Sequence, residues 1–143
     1  MLRGNLPATI DGKGRIKVPA AFRKFIEDKY GNELYVTSLT GQSVLVYPIS
    51  EWEEIEARLN ALPRMKPERL KFLRNASYYG QVALMDKQGR VVIQPHLRTS
   101  ADMRGEVAVM GNLTHLEVWN NEKFVSRMES DPFTPEDAEQ LGI

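Results

Sequence analysis

The chain has 143 residues, of which 42% are hydrophobic and 27% are charged, a balance typical of a folded protein. Its length fits one compact domain or two small modules that share a core. It contains no cysteine, which excludes disulfides, thiolate zinc sites and cysteine nucleophiles.

Four short strands are predicted in the first half, because runs with β-branched residues lie between turn formers: residues 7–10, 15–18, 33–37 and 43–47. The first two runs surround a glycine-rich turn, which is a hairpin signal, and Gly14 is expected to take a positive φ. Behind Pro19, apolar residues at helical spacing predict a short helix over 20–26.

Three further helices are predicted along the chain. The segment Ser50-Glu51-Trp52-Glu53 has the pattern of a capping box, so we expect a helix to start there and to stop before Pro63. A connecting helix is predicted from Pro67 through Ala76, and a last short helix opens at Thr134.

An internal repeat organises these elements. The run from Asp11 to Val18 returns as Asp86 to Ile93, 75 residues later, and Phe22-Arg23 is answered by Leu97-Arg98. Later segments match at shifts of 73 and 72 residues, a drift that two short loop deletions would produce. We interpret the two halves as divergent duplicates of one strand-rich module.

No targeting or membrane segment is expected. Residues 1–7 lack an apolar core of signal-peptide length, and no later apolar run approaches the roughly 20 residues that span a bilayer. The sequence therefore predicts a cytoplasmic protein without a membrane partner.

The repeated turns are the candidate functional site. In each, an aspartate caps the turn, a glycine permits it, an arginine opens the returning strand and a lysine lies on the tip: Asp11, Gly14, Arg15 and Lys13, then Asp86, Gly89, Arg90 and Lys87. A plain hairpin needs only the turn formers, so the recurring arginine favours a function. Its planar fork matches guanine O6 and N7 as well as phosphate oxygens.

The net charge of the chain does not support this interpretation, but the distribution of charge along the chain does. The 19 basic and 19 acidic residues cancel, which is a weak footprint for a nucleic-acid binder. However, residues 11–24 hold five basic residues and one acid, whereas residues 129–139 hold five acids and no base. One bidentate base contact discriminates by roughly 1–3 kcal/mol, so several tips must act together.

Other candidate sites have simpler explanations. The basic cluster on the connecting helix is typical of a solvated face: Arg64, Lys66, Arg69, Lys71 and Arg74. The only histidines, His96 and His115, fall at unrelated places in the two halves, which argues against a metal site. Neither a Walker loop nor a GxSxG elbow is present. We expect no enzyme activity, cofactor, metal or small-molecule substrate.

Together these motifs resemble the MraZ family, whose members carry two AbrB-like modules marked by an Asp-x-x-Gly-Arg turn. The resemblance covers most of the chain, including Arg3-Gly4, residues 11–19, 46–48, 51–53, 86–95, 97–98 and 118–119. It implies a mainly β fold of the α+β class, a pseudo-duplicated swapped-hairpin β barrel with flanking short helices. The modules are expected at 5–52 and 81–124, with a helical connector at 53–80 and an acidic C-terminal tail at 125–143.

The resemblance also implies a function. Members are sequence-specific, DNA-binding transcriptional regulators that form homo-oligomeric rings, associate with the nucleoid and bind short G-rich tandem repeats before their own division and cell-wall operon. The DNA-facing residues it implies are Lys13, Arg15 and Arg90, with a smaller contribution from Lys87 and with Arg3 as a further candidate. The alternative is an antitoxin-like or scaffold module that binds a protein partner through its tail.

Overall fold

A computed structural model describes residues Met1 to Ile143 as an α+β protein with eight strands and six helices. The strands are β1 Leu2–Thr9, β2 Arg15–Lys17, β3 Glu33–Thr37, β4 Val44–Pro48, β5 Gln81–Leu84, β6 Arg90–Val92, β7 Glu106–Leu113 and β8 Leu116–Asn120. The helices are α1 Ala20–Lys29, α2 Ile49–Asn60, α3 Pro67–Tyr79, α4 Pro95–Ser100, α5 Asn121–Ser130 and α6 Pro135–Leu141.

The strand pairing shows the internal duplication. Six strands form one sheet in the order β1-β7-β8-β4-β3-β5, and β2 pairs with β6 in a separate two-stranded ribbon. All pairs are antiparallel. Exchanging β1 with β5, β2 with β6, β3 with β7 and β4 with β8 maps this pairing onto itself. The repeat in the sequence therefore corresponds to a pseudo-twofold arrangement.

The two halves are interlocked, and the local hairpin expected across the first turn is wrong. The segments before and after that turn meet only at a single bridge between Ile10 and Ile16. Instead β2 pairs with β6 of the other half, with Ile16 opposite Val91, and both side chains are almost fully buried. Pairing across the halves stabilises the fold because it places both apolar faces over a shared core. This is a swapped-hairpin arrangement, although its strands form an open sheet and a ribbon, not a closed barrel.

The shared core holds the ribbon in place. Nineteen buried hydrophobic residues from both halves form one cluster, with Ile26 and Leu34 from the first half and Ile93, Leu97 and Val107 from the second among its members. A second cluster of Leu45, Tyr47, Trp52 and Ala76 lies where α2 and α3 cover the sheet. The larger cluster is therefore shared by both halves, whereas the smaller one is formed by the first half and the connector.

The helix predictions succeed except at the start of α2. This helix begins at Ile49, with Pro48 at the N-cap and no side-chain cap, so the capping box expected at Ser50 is wrong. Ser50 lies inside the first turn, and the carboxylate of Glu51 instead accepts a hydrogen bond from the Tyr30 hydroxyl at 3.0 Å. Helix α6 opens after Thr134 as predicted, and there Thr134 and Asp137 form a capping box. None of the six helices is long and apolar enough to cross a membrane.

Candidate nucleic-acid interface

The ribbon presents its charged side chains on one face. Arg15 lies opposite Val92, and Lys17 lies opposite Arg90, while the central Ile16 and Val91 point into the core. Because strand side chains alternate between faces, the four flanking residues share the outer face. Arg15 and Arg90 are diagonal neighbours across the ribbon, for which a separation of roughly 7–8 Å is typical.

Neither arginine is sealed inside the fold. The side chain of Arg15 retains 26% of its exposure and that of Arg90 retains 29%. The antiparallel register puts the turn of residues 11–14, the first loop, at one end of the ribbon. The turn of residues 86–89, the second loop, lies at the other end. The two loops thus flank one ribbon face, which carries Arg15, Lys17 and Arg90.

The first loop is built around one carboxylate. Asp11 Oδ1 accepts hydrogen bonds from the backbone N–H groups of Lys13 and Arg15, each at 2.9 Å. Its Oδ2 accepts a hydrogen bond from Arg15 Nε at 2.7 Å. The arginine is therefore held through Nε, and its two Nη groups make no hydrogen bond within the chain. This leaves the outer edge of the guanidinium available for a ligand.

The second loop repeats this geometry. Asp86 Oδ1 accepts from the backbone N–H groups of Gln88 at 2.9 Å and Arg90 at 2.8 Å, and Oδ2 accepts from Arg90 Nε at 2.8 Å. The two loops lie 75 residues apart in sequence and have the same hydrogen bonds. In each, the aspartate holds the arginine side chain in one orientation before any ligand binds. A preset side chain loses less entropy when it binds.

These hydrogen bonds lower the pKa of both aspartates. The backbone N–H of Arg15, followed by the Arg15 side chain and the Lys13 N–H, lowers the Asp11 pKa from 3.8 to about 2, against a smaller opposing effect of desolvation. The Asp86 pKa is lowered for the same reason, chiefly by the Arg90 N–H. Both carboxylates therefore stay charged well below neutral pH.

The lowered pKa predicts how loop order depends on pH. A carboxylate whose folded pKa lies below its unfolded value contributes stability that is present above the unfolded pKa and is lost as pH falls through the folded one. We expect the Arg15 amide resonance in an NMR titration to keep its position down to about pH 4 and to move towards pH 2. Asp11→Asn provides the matched control, and its Arg15 amide should show no transition there. A wild-type midpoint near 3.8 would contradict the prediction.

Two further arginines cover the loops, each reaching across from the other half. Gly14 and Gly89 are buried and have φ values of 76° and 77°. The guanidinium of Arg98, on α4, packs over Gly14, and the side chain of Arg23, on α1, packs over Gly89. The carbonyls of these glycines also accept hydrogen bonds from the opposite half, at 2.9 Å each. The loops are therefore fixed by long-range contacts as well as by their own aspartates.

Replacing Gly14 with Ala tests this packing. Alanine in the left-handed region costs about 1–2 kcal/mol, and the new Cβ would overlap the Arg98 guanidinium. We expect the free energy of unfolding, measured with urea, to fall by at least that amount. Gly12→Ala is the matched control, since Gly12 has open space around it and an ordinary φ. Equal stability of the two variants would refute the proposed cost.

Of the three other residues predicted to face DNA, two lie on the loops and one does not. Lys13 and Lys87 are exposed on the loop tips. Arg3 is exposed but lies at the far end of β1, opposite Asn112, seven residues before the bridge at Ile10. At about 3.3 Å per residue this is roughly 23 Å from the ribbon, so the structure does not bring Arg3 to the loops.

Sequence reasoning missed three basic residues near the ribbon. Lys17 shares the outer face with Arg15, which the two-residue alternation of the strand could have indicated. Arg23 and Arg98 were recognised only as matching positions of the repeat, and their recurrence was the available signal. By contrast, the guanidinium of the connector residue Arg69 already has a partner within the chain. Its Nε donates to the Leu59 carbonyl at 2.9 Å and so caps the end of α2.

The fold and this surface define a class: an internally duplicated, swapped-hairpin protein whose paired strands carry two preset arginines outward. Comparison with known proteins identifies the family. The model of the family described as "MraZ protein, putative antitoxin-like" matches residues 1–75 and 81–142. The chain belongs to the MraZ family, as its motifs indicated.

Relatives match over nearly the full chain. A protein of Koribacter versatilis is 53% identical over 142 residues, which cover 99% of this chain and 97% of the relative. One of Acidobacterium capsulatum is 45% identical over 141 residues, with the same coverage of 99% and 97%. One of Syntrophobacter fumaroxidans is 33% identical over 129 residues, which cover 90% and 85%. Each of these relatives bears the name "Transcriptional regulator MraZ".

Proposed function

We propose that the protein is a sequence-specific, DNA-binding transcriptional regulator of the cytoplasm and nucleoid, and that it is not an enzyme. The observation that carries this proposal is the outer face of the β2–β6 ribbon, where Arg15, Lys17 and Arg90 lie together. The names of the full-length relatives support the same class of function.

The geometry suits double-stranded DNA. A two-stranded ribbon fits the major groove, which is about 12 Å wide, and arginine can donate two hydrogen bonds to guanine O6 and N7. Since Arg15 and Arg90 are held only through Nε, their Nη groups can donate to a guanine edge or a phosphate. Lys13 and Lys87 on the tips would add phosphate contacts.

A single subunit offers few contacts, so we propose that copies assemble into a homo-oligomeric ring. Linked reading surfaces raise the effective concentration of each next contact, and a head-to-tail interface closes into a ring when its rotation permits. Co-oriented subunits would match short G-rich tandem repeats upstream of the operon that encodes the protein. In this arrangement residues 5–52 and 81–124 are the modules, 53–80 is the connector, and the acidic tail of 125–143 faces away from phosphates.

Footprinting on the DNA upstream of the protein's own gene tests the proposal. We expect protection of evenly spaced short repeats, and an affinity whose logarithm falls linearly with the logarithm of salt concentration, with a slope near −0.9 per phosphate contact. Binding that is absent, or that shows no salt dependence, would contradict DNA recognition by this surface.

A second candidate is supported by the C-terminal segment. Phe133, Leu141 and Ile143 are exposed there beside acidic residues, which is a composition that fits a protein partner. An antitoxin-like or scaffold module would lose its partner when residues 131–143 are deleted, whereas a DNA-binding regulator would keep its footprint. The deletion therefore separates the two functions.

A further inference from the structure

The two ends of the ribbon differ in how their covering arginine is bound. At the second loop, Arg23 Nη2 donates to the Lys87 carbonyl at 2.5 Å, and Nε pairs with Glu27 at 2.6 Å. The charge of this guanidinium is balanced, and two of its three nitrogens already donate within the chain. Arg23 therefore fastens the second loop and has little left to offer a ligand.

At the first loop, the equivalent Arg98 has no such partners. Its Nε is buried without a hydrogen bond, and it takes part in none of the ion pairs of the protein. Asp102 stands four residues later, where Glu27 stands relative to Arg23, but it pairs with Arg104 at 2.6 Å and with Lys123 at 3.7 Å.

The length of the helix explains the difference. Helix α1 continues for ten residues, so Arg23 and Glu27 are neighbours on one helical face. Helix α4 ends at Ser100 after six residues, and Asp102 follows it in a turn with φ of 53°. The Asp102 carboxylate therefore does not pair with the Arg98 guanidinium, as Glu27 pairs with Arg23.

The orientation of Arg98 leaves its charge directed at the loop region. A Cβ built on Gly14 would be nearly equidistant from Nε, Cζ and Nη1 of Arg98, so the guanidinium lies face-on against the loop backbone. Its Nη groups make no hydrogen bond within the chain. A half-buried cation without a counter-ion is costly, and an anion that approaches the first loop would relieve that cost.

The outer face of the ribbon adds positive charge at both ends. Lys17 lies opposite Arg90, at the end that carries the second loop, whereas its counterpart Val92 lies opposite Arg15, at the end that carries the first loop. Each loop tip also has one lysine, Lys13 on the first and Lys87 on the second. The two ends therefore differ chiefly in whether their covering arginine is paired.

We propose that Arg98 binds a DNA backbone phosphate beside the first loop, so that this end of the ribbon anchors the duplex. The inference rests on the proposed DNA-binding function. It adds Arg98 to the residues that contact DNA and ranks it above Arg23. Arg23, its partner by pseudo-symmetry, is a positioning residue that only holds the second loop.

Salt dependence on a random-sequence duplex tests the proposal, because it counts phosphate contacts independently of base reading. Losing one contact per subunit should reduce the slope by about 0.9 for each subunit bound and lower affinity by roughly 5- to 10-fold at 0.1 M salt. We expect this change in Arg98→Ala and in Arg98→Gln, whose planar amide can still cover Gly14. Arg98→Lys, which retains the charge, should keep the wild-type slope.

Arg23→Ala is the comparison variant and should reduce the slope less than Arg98→Ala, since the charge it removes is already paired with Glu27. Thermal unfolding and oligomer mass, measured for every variant, show which remain folded. An unchanged slope in folded Arg98→Gln, or equal losses from Arg23→Ala and Arg98→Ala, would overturn the inference while leaving DNA binding intact. If the wild-type protein shows no salt-dependent binding, the proposed function fails instead.

Discussion

Replacing Arg15 with Ala is expected to abolish preferential binding to the upstream repeats. Each bidentate arginine–guanine pair gives roughly 1–3 kcal/mol of discrimination, and the loss is repeated in every subunit that contacts DNA. Two neighbouring subunits would together lose at least about 2 kcal/mol, which is roughly a 30-fold drop in specific affinity. A gel shift with repeat DNA and with random DNA of the same length measures the difference.

Two companion variants make this result interpretable. Lys24→Ala removes an exposed cation on α1 that is already paired with Asp28, and it should bind like the wild type. Arg15→Lys keeps the charge but lacks the planar fork, so we expect it to retain the salt dependence while losing preference for the repeats. If Arg15→Ala binds the repeats with wild-type affinity and remains the same oligomer, the ribbon is not the reading surface.

Replacing Leu97 with Ala is expected to destabilise the whole protein. Leu97 is completely buried in the cluster shared by both halves, and truncation of such a leucine costs about 2–5 kcal/mol of unfolding free energy. Because both halves share the larger core, urea unfolding should remain one cooperative transition with a lower midpoint. Protein concentration is held fixed, since assembly contributes to apparent stability.

The matched control for this variant is Leu141→Ala. Leu141 lies on α6 and is 65% exposed, so its truncation should change the unfolding free energy by no more than about 0.5 kcal/mol. Two separate unfolding transitions in either variant, or a loss below about 1 kcal/mol in Leu97→Ala, would contradict a shared core.

The features that sequence could predict are local. The loop chemistry follows from a carboxylate that reaches its own backbone two and four residues on, and that reach is set by spacing alone. The strands over 33–37 and 43–47 are found as β3 and β4 because their alternation and the intervening turn act over a few residues. The start of α6 after Thr134 is local in the same way.

Long-range partners could not be read from the sequence in the same way. A glycine-rich turn between short strands indicates a hairpin, and only the shared core makes β2 choose β6 instead. The covering roles of Arg23 and Arg98 depend on residues more than 60 positions away, so no local spacing reveals them. At Ser50, the pattern of a cap was present, but Pro48 started the helix earlier.

The unequal covering of the two glycines has a directional consequence. A ribbon with true twofold symmetry would sit on a duplex equally well either way round, and it would favour mirrored half-sites. Here the shortened helix α4 leaves the covering arginine unpaired at one end of the ribbon only, which makes the two ends different and gives each subunit a direction along the DNA axis. Subunits that all point the same way along the DNA bind target sequences that also share one orientation, as direct repeats do.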